Sequence, residues 1–178
     1  MTTPVADGGS DPGALAPVRK SVTVRASVEE AFRVFTDDMD SWWPRSHHIG
    51  KVPMKRVLVE GFVGGRCYTE QIDGSDCPWG SVLTWDPPRR FVIAWQIDHT
   101  WGYVADVSAV SEVEVRFTAE SDGRTRVDLE HRNFERMGPN GAGMRAGVDN
   151  PNGWSGLLAL FAARAETANG AANEQTAS

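Results

Sequence analysis

The sequence is poor in the residues that build disulfide frameworks and metal sites. Its 178 residues include two cysteines, Cys67 and Cys77, and four histidines. Two cysteines are too few for a disulfide framework, and no His-x₃-His or Cys-x₂-Cys spacing is present, so we predict free thiols and no metal site. The sequence also has no P-loop, Rossmann fingerprint or Gly-x-Ser-x-Gly elbow, so we predict no cofactor.

Long hydrophobic runs and an excess of basic residues are absent as well. No apolar stretch approaches the roughly 18 residues that a membrane span needs. The formal net charge is −6, whereas proteins that bind nucleic acid usually carry a basic face, so we expect no nucleic-acid partner. The N-terminus lacks the basic start and apolar middle of a secretion signal, which favours a cytoplasmic location.

Tryptophan is unusually abundant. The seven tryptophans are Trp42, Trp43, Trp79, Trp85, Trp95, Trp101 and Trp154. A buried indole needs a partner for its N–H group, so a cluster of indoles indicates a cavity or a cavity mouth with some polar character. The alternative is a tryptophan-rich core without a cavity.

Composition divides the chain into one domain and two tails. Residues 1–17 and 168–178 are rich in small and polar residues, and both are predicted to be disordered. Residues 18–167 lie between them and contain no internal repeat. Their length and apolar content are sufficient for a single domain with its own core.

The domain begins with a strand and two short helices and continues mainly as strands. Alternating valines predict a strand at 18–25, Ser27 is a candidate N-cap for a helix at 28–36, and residues 38–43 resemble a short helical turn. Further strands are predicted at 54–60, 66–72, 80–85, 91–97, 112–118 and 125–131. Residues 133–149 are interpreted as a long connection because they are rich in Gly and Asn.

The last predicted element is a long amphipathic helix at 151–166. Asn150 is a suitable N-cap, and Pro151 fits the first helical position. Apolar side chains recur with helical spacing at Trp154, Leu157, Leu158, Phe161 and Ala165. The order of elements predicts an α+β protein in which a curved antiparallel sheet of about 6–7 strands wraps around this helix.

Three short motifs in this order resemble a known superfamily. They are Gly64-Gly65-Arg66, the segment from Trp85-Asp86-Pro87-Pro88 to Trp95, and Gly153-Trp154 at the start of the last helix. Over residues 18–166 the chain resembles the SRPBCC, START-like or helix-grip superfamily, and within it the bacterial branch similar to the C-terminal domain of the heat-shock-protein-90 ATPase activator. The resemblance implies an incomplete antiparallel barrel that grips the C-terminal helix, with an apolar cavity between them.

Side chains of the inward strand faces and of the helix stripe are the candidate ligand-binding residues. The Trp42-Trp43 pair is either a gate at the cavity entrance or a cap over the end of the sheet. The set is Trp42, Trp43, Trp95, Phe117, Leu129, His131, Trp154, Leu157 and Phe161. A solid core with no cavity is the alternative.

His131 is the single catalytic candidate in the sequence. Strand alternation turns it inward after Leu129, and an unperturbed histidine titrates near neutral pH, which suits acid–base chemistry. The alternative is a buried structural histidine, and no nucleophile or carboxylate stands at a matching spacing. The sequence therefore leaves the question of catalysis open.

The superfamily hosts many functions, so three hypotheses remain. The first is a carrier or sensor that binds a small apolar or amphipathic molecule without a cofactor. The second is a cyclase-like or hydrolase-like enzyme that uses the same cavity. The third is a stress-related interaction module similar to the chaperone ATPase activator. A homodimer is compatible with all three.

Overall fold

The structure is a computed structural model that describes residues 14–176. It contains one seven-stranded sheet in which every neighbouring pair is antiparallel, in the order β1-β7-β6-β5-β4-β3-β2. The strands are β1 (Val18–Val24), β2 (Met54–Val59), β3 (Arg66–Gln71), β4 (Asp76–Asp86), β5 (Arg90–Trp95), β6 (Ser111–Ala119) and β7 (Thr125–Arg132). β1 is the edge strand opposite β2, and it pairs with the last strand, β7.

Three α-helices accompany the sheet. They are α1 (Val28–Phe35), α2 (Gly141–Asp149) and α3 (Gly156–Thr176). Ser27 caps α1 by accepting a hydrogen bond from the backbone N–H of Glu30, at 3.1 Å, as the sequence predicts. A short 3₁₀ turn, Met39–Ser41, follows α1. α3 packs against β1 and α1, which confirms the predicted helix-grip architecture.

The segment predicted as a loop at 133–149 is helical, so that prediction is wrong. A 3₁₀ segment, Phe134–Asn140, leads directly into α2. Glycine lowers intrinsic helix propensity, which hid this element in the sequence. Packing stabilises it instead, because Phe134, Met144 and Val148 are buried.

The C-terminal helix differs from its prediction at both ends. Asn150 caps it as expected, accepting from the backbone N–H of Asn152 at 2.8 Å. The first turn, Pro151–Ser155, is π-helical, and it is kinked at Gly153, where ψ is −135°. α3 then continues past residue 166 to Thr176, so the predicted tail at 168–178 is helical as far as the structure describes it. Residues 1–13 of the other predicted tail, and 177–178, lie outside the described residues.

The two faces of the sheet differ in polarity, as the alternating pattern predicts. On β7, Leu129 and His131 are buried while Arg126 is exposed. The outer face carries ion pairs, such as Arg90 with Glu114 at 2.9 Å. The inner face and the helices therefore enclose the core, and the candidate site lies within that layer.

Candidate functional site

A cavity of about 510 Å³ lies between β4, β5 and the junction of α2 with α3. The segment after the first 3₁₀ turn and the connection after β5 complete its wall. The lining residues are Trp43, Ser46, His47, His48, Ile49, Trp79, Trp95, Ile97, Trp101, Gly147, Val148, Asn150, Asn152, Gly153, Trp154 and Leu157. This volume is in the usual range for a site that binds a small molecule.

Four buried tryptophans form a closed ring of contacts in the cavity wall. Trp43 stacks on Trp79, with ring centroids 6.0 Å apart and planes 12° apart. Trp79 meets Trp95 edge-to-face at 5.6 Å, and Trp95 meets Trp154 at 5.4 Å. Trp154 returns to Trp43 at 6.5 Å. All four members of this tryptophan ring belong to the cavity lining, and indole surfaces suit aromatic molecules.

A fifth tryptophan, Trp101, stands at the mouth of the cavity and is 51% exposed. Its backbone has a φ of 64°, in the left-handed region. The turn is stabilised by Asp98, whose Oδ1 accepts from the backbone N–H groups of Thr100 and Gly102, each at 2.9 Å. The Trp101 ring lies over Gly147 of α2, where an added Cβ would stand 3.5 Å from the indole. The turn and α2 together therefore fix this ring at the entrance.

Two histidines give the cavity a polar edge. His47 Nε2 lies 3.2 Å from the carbonyl oxygen of Asn152, and because a carbonyl only accepts, Nε2 carries the proton. His47 Nδ1 then accepts from the Ser46 hydroxyl at 3.1 Å. Trp43 donates its indole N–H to the His47 carbonyl at 2.7 Å. These bonds connect the segment at 45–53 to the turn that precedes α3.

His131 lies in the core with both ring nitrogens engaged. Its Nδ1 accepts from the indole N–H of Trp154 at 3.0 Å. Nε2 therefore carries the proton of the neutral ring and donates to Ser111 Oγ at 2.7 Å. Burial lowers the pKa of His131 to about 3, so the ring is neutral at physiological pH. A protonated Nε2 cannot accept the Ser111 proton, so the pair does not form an activated nucleophile, and His131 instead orients Trp154.

The structure brings four of the nine candidate residues to the cavity. Trp43, Trp95, Trp154 and Leu157 belong to the lining. The other five lie in the packed core outside the lining; they are Trp42, Phe117, Leu129, His131 and Phe161. Trp42, for example, donates its indole N–H to the Val34 carbonyl of α1 at 2.8 Å, which fixes it away from the cavity.

Sequence reasoning missed several lining residues. Trp79 lies one residue before the predicted strand at 80–85, whereas β4 begins at Asp76 and includes it. His47, His48 and Trp101 lie in connections, where no periodicity indicates which side chains turn inward. Their type was the only available signal, since aromatic and imidazole groups in long loops often contribute to binding sites.

The described lining residues include no Lys, Arg, Asp or Glu. The described part of the chain has no group of three or more His, Cys, Asp or Glu arranged to hold a metal ion. Burial raises the pKa of the Cys67 thiol to about 12, so it is not a nucleophile at neutral pH. Among the described helices, none combines the length and apolar character needed to cross a bilayer.

The family model described as activator of Hsp90 ATPase homolog 1-like protein matches residues 25–165. No curated protein sequence matches the chain.

Solved structures of similar proteins cover nearly the whole domain. An anthrahydroquino-gamma-pyrone synthase, Txn09, is 42% identical over 85% of this chain and 98% of its own, with a TM-score of 0.59. A self-sacrificing resistance protein, CalC from Micromonospora echinospora, is 30% identical over 85% of this chain and 94% of its own, with a TM-score of 0.60. Protein NE0264 from Nitrosomonas europaea shares the fold at 14% identity, covering 93% and 99%, with a TM-score of 0.60.

Proposed function

The chain belongs to the family of activator of Hsp90 ATPase homolog 1-like proteins, and from this premise we propose that it binds a small, planar aromatic molecule in its cavity. The observation that carries the proposal is a cavity of about 510 Å³ whose wall includes the tryptophan ring. The synthase that is 42% identical supports the proposal, because its name refers to a polycyclic aromatic compound.

The size of the cavity is compatible with useful affinity. A ligand and the cavity wall that together bury roughly 600 Å² of apolar surface gain about 15 kcal/mol at about 25 cal/mol per Å². Association costs of about 7 kcal/mol leave about 8 kcal/mol, which corresponds to a micromolar dissociation constant. Burial of apolar surface alone is therefore sufficient for micromolar affinity, without a contribution from a cofactor.

Titration with anthracene-2-sulfonate by calorimetry tests the proposal. We expect saturable binding with a stoichiometry of one and a dissociation constant of about 1 μM to 100 μM. Trp79→Ala removes one wall of the tryptophan ring and should weaken binding about tenfold or more, since it removes a stacking surface. Trp85→Ala is the matched control, because Trp85 packs on Phe32 with centroids 5.2 Å apart and does not line the cavity.

Two results would contradict the proposal. One is the absence of saturable binding to the wild type. The other is an equal loss of affinity in Trp79→Ala and Trp85→Ala, both verified as folded by circular dichroism, because a general loss of structure would then explain the effect.

Catalysis on the bound molecule is a second candidate function, favoured by the synthase relative. His47 and His48 are the titratable lining residues, so turnover would depend on them rather than on His131. Native mass spectrometry of freshly purified protein, repeated with His47→Ala and His48→Ala, tests this function. A bound molecule whose mass differs between the wild type and both variants favours an enzyme, whereas an identical bound mass favours a carrier.

A further inference from the structure

Two of the cavity's nitrogen atoms are buried without a hydrogen-bond partner. Among the described residues, four buried side-chain polar atoms lack a partner, and two of them, Trp95 Nε1 and His48 Nδ1, belong to lining residues. The other two, Thr69 Oγ1 and Gln71 Oε1, lie on β3 outside the lining. Because burying an unpaired polar group is unfavourable, atoms of this kind at a cavity indicate what a ligand supplies.

Trp95 differs in this respect from three other buried indoles among the described residues. Trp42, Trp43 and Trp154 each donate their N–H to an acceptor of the protein, at distances between 2.7 and 3.0 Å. Trp95 is 5% exposed and equally enclosed, yet its N–H has no acceptor among the described residues. Its neighbour His131, with ring centroids 5.4 Å away, already uses both nitrogens.

The chemistry of the indole and of the lining restricts the missing partner. An indole N–H is a donor only, so its partner must be an acceptor. A carboxylate is disfavoured, because the described lining has no Lys or Arg to pair with a buried negative charge. The acceptor that fits is a neutral oxygen of a carbonyl or phenol.

We infer that the ligand of this cavity is an oxygenated polycyclic aromatic molecule, such as a quinone or aromatic ketone, whose oxygen accepts a hydrogen bond from Trp95 Nε1. The inference rests on the proposed function and makes it more specific. Trp95 thus determines specificity: the rest of the tryptophan ring contacts the aromatic surface, and Trp95 also recognises its oxygen. His48 Nδ1 is the second unpaired atom and is available to a hydroxyl group on the same ligand.

A matched pair of probes distinguishes binding of the aromatic surface from recognition of the ligand oxygen. Anthraquinone-2-sulfonate and anthracene-2-sulfonate share the ring system and a sulfonate that can stay in water at the open mouth beside Trp101, and only the first has carbonyl oxygens. By calorimetry, we expect the wild type to bind the quinone about fivefold more tightly, the effect of one net hydrogen bond. Trp95→Phe keeps an aromatic ring but lacks the N–H, and it should reduce the ratio of the two dissociation constants to near one.

Two control variants fix the assignment. Trp85→Phe makes the same substitution outside the cavity and should keep the wild-type ratio. Trp79→Phe makes it within the tryptophan ring, and it should lower both affinities while keeping the ratio. A ratio lost in Trp79→Phe but kept in Trp95→Phe would overturn the assignment to Trp95.

The outcomes for the inference and for the proposed function are distinguishable. If the wild type binds neither probe, the proposed function fails. If it binds anthracene-2-sulfonate and shows no preference for the quinone, the proposed function stands and the inference is wrong.

A spectroscopic measurement covers the case in which Trp95→Phe does not fold. In ¹H–¹⁵N spectra of the wild type, one indole N–H signal should move downfield with anthraquinone-2-sulfonate but not with anthracene-2-sulfonate. Equal responses to the two probes would also overturn the inference.

Discussion

The interior of this protein has two aromatic ends that are filled differently. At one end five phenylalanines pack into a solid cluster, with centroid distances of 4.8 Å between Phe35 and Phe161 and 5.2 Å between Phe32 and Phe117. The cluster comprises Phe32, Phe35, Phe91, Phe117 and Phe161. At the other end the tryptophan ring forms part of the wall of the cavity. The two are called here the phenylalanine end and the tryptophan end.

What covers each end explains the difference. Helix α1 covers the phenylalanine end and inserts Phe32 and Phe35 between the sheet and α3. The tryptophan end is covered by the segment at 45–53 and by the turn before α3, whose side chains line the cavity without filling it. There the indole N–H groups of Trp43 and Trp154 are hydrogen-bonded to the protein, which fixes the rings as walls. The comparison indicates that one end is packed solid, whereas the other leaves the space in which we propose that a ligand binds.

The strongest test of this division is Phe161→Ala. Phe161 is fully buried and contacts both Phe35 and Trp42, so its removal creates a cavity in the phenylalanine end. We expect a loss of about 3–5 kcal/mol in the free energy of unfolding, measured in urea. The affinity of the remaining folded protein for anthracene-2-sulfonate should stay close to that of the wild type.

Leu160→Ala is the control for this substitution. Leu160 is the preceding residue of α3 and is 45% exposed, so its removal should change stability by less than about 1 kcal/mol. The comparison between the two ends would be wrong if both variants lost similar stability, or if Phe161→Ala weakened probe binding as strongly as Trp79→Ala does.

An intermediate effect is expected from the histidine behind the tryptophan end. The pKa of His131 is about 3 in the folded protein, below its unfolded value of about 6.5, so below pH 6.5 the unfolded state binds the extra proton. Above pH 6.5 the ionisation of His131 therefore does not lower the free energy of unfolding. As the pH falls from 6.5 towards 3, the free energy of unfolding decreases. Between pH 7 and pH 5 the loss amounts to about 2 kcal/mol.

Urea unfolding at several pH values measures this loss. His131→Gln should lack it, and its stability should depend less on pH over this range than that of the wild type. His99→Gln is the control, because His99 is exposed in a loop, and it should keep the wild-type dependence. Identical pH profiles for the wild type and His131→Gln would show that His131 is not held neutral by burial.

Local patterns predicted most of the fold. The two N-caps, Ser27 and Asn150, have side-chain oxygens that accept from nearby backbone N–H groups, as expected from their positions. Strand alternation correctly predicted that His131 faces inward. Helix α2 was missed because its stability comes from tertiary contacts rather than from helix propensity.

These local patterns could not predict that one end of the interior is solid and the other hollow. Leu157 and Phe161 lie on the same stripe of the last helix, and periodicity predicts that both are buried. Leu157 lines the cavity, whereas Phe161 packs against Phe35 of α1. The difference depends on what lies opposite each residue, and α1 is more than a hundred residues earlier in the chain. Sequence spacing within one helix carries no information about that partner.

The smallest effect on stability is expected at Trp101, which stands at the mouth of the cavity in the tryptophan end. Its exposed ring contributes little to the core, and its left-handed backbone is unfavourable for tryptophan but allowed for glycine. We therefore expect Trp101→Gly to change the free energy of unfolding by less than about 1 kcal/mol, because the backbone gain offsets the lost ring contact. Probe binding should nevertheless weaken about fivefold, since an aromatic surface at the mouth is removed. Tyr103→Ala, a similarly exposed aromatic outside the lining, should leave the affinity unchanged, and equal losses in both variants would remove Trp101 from the site.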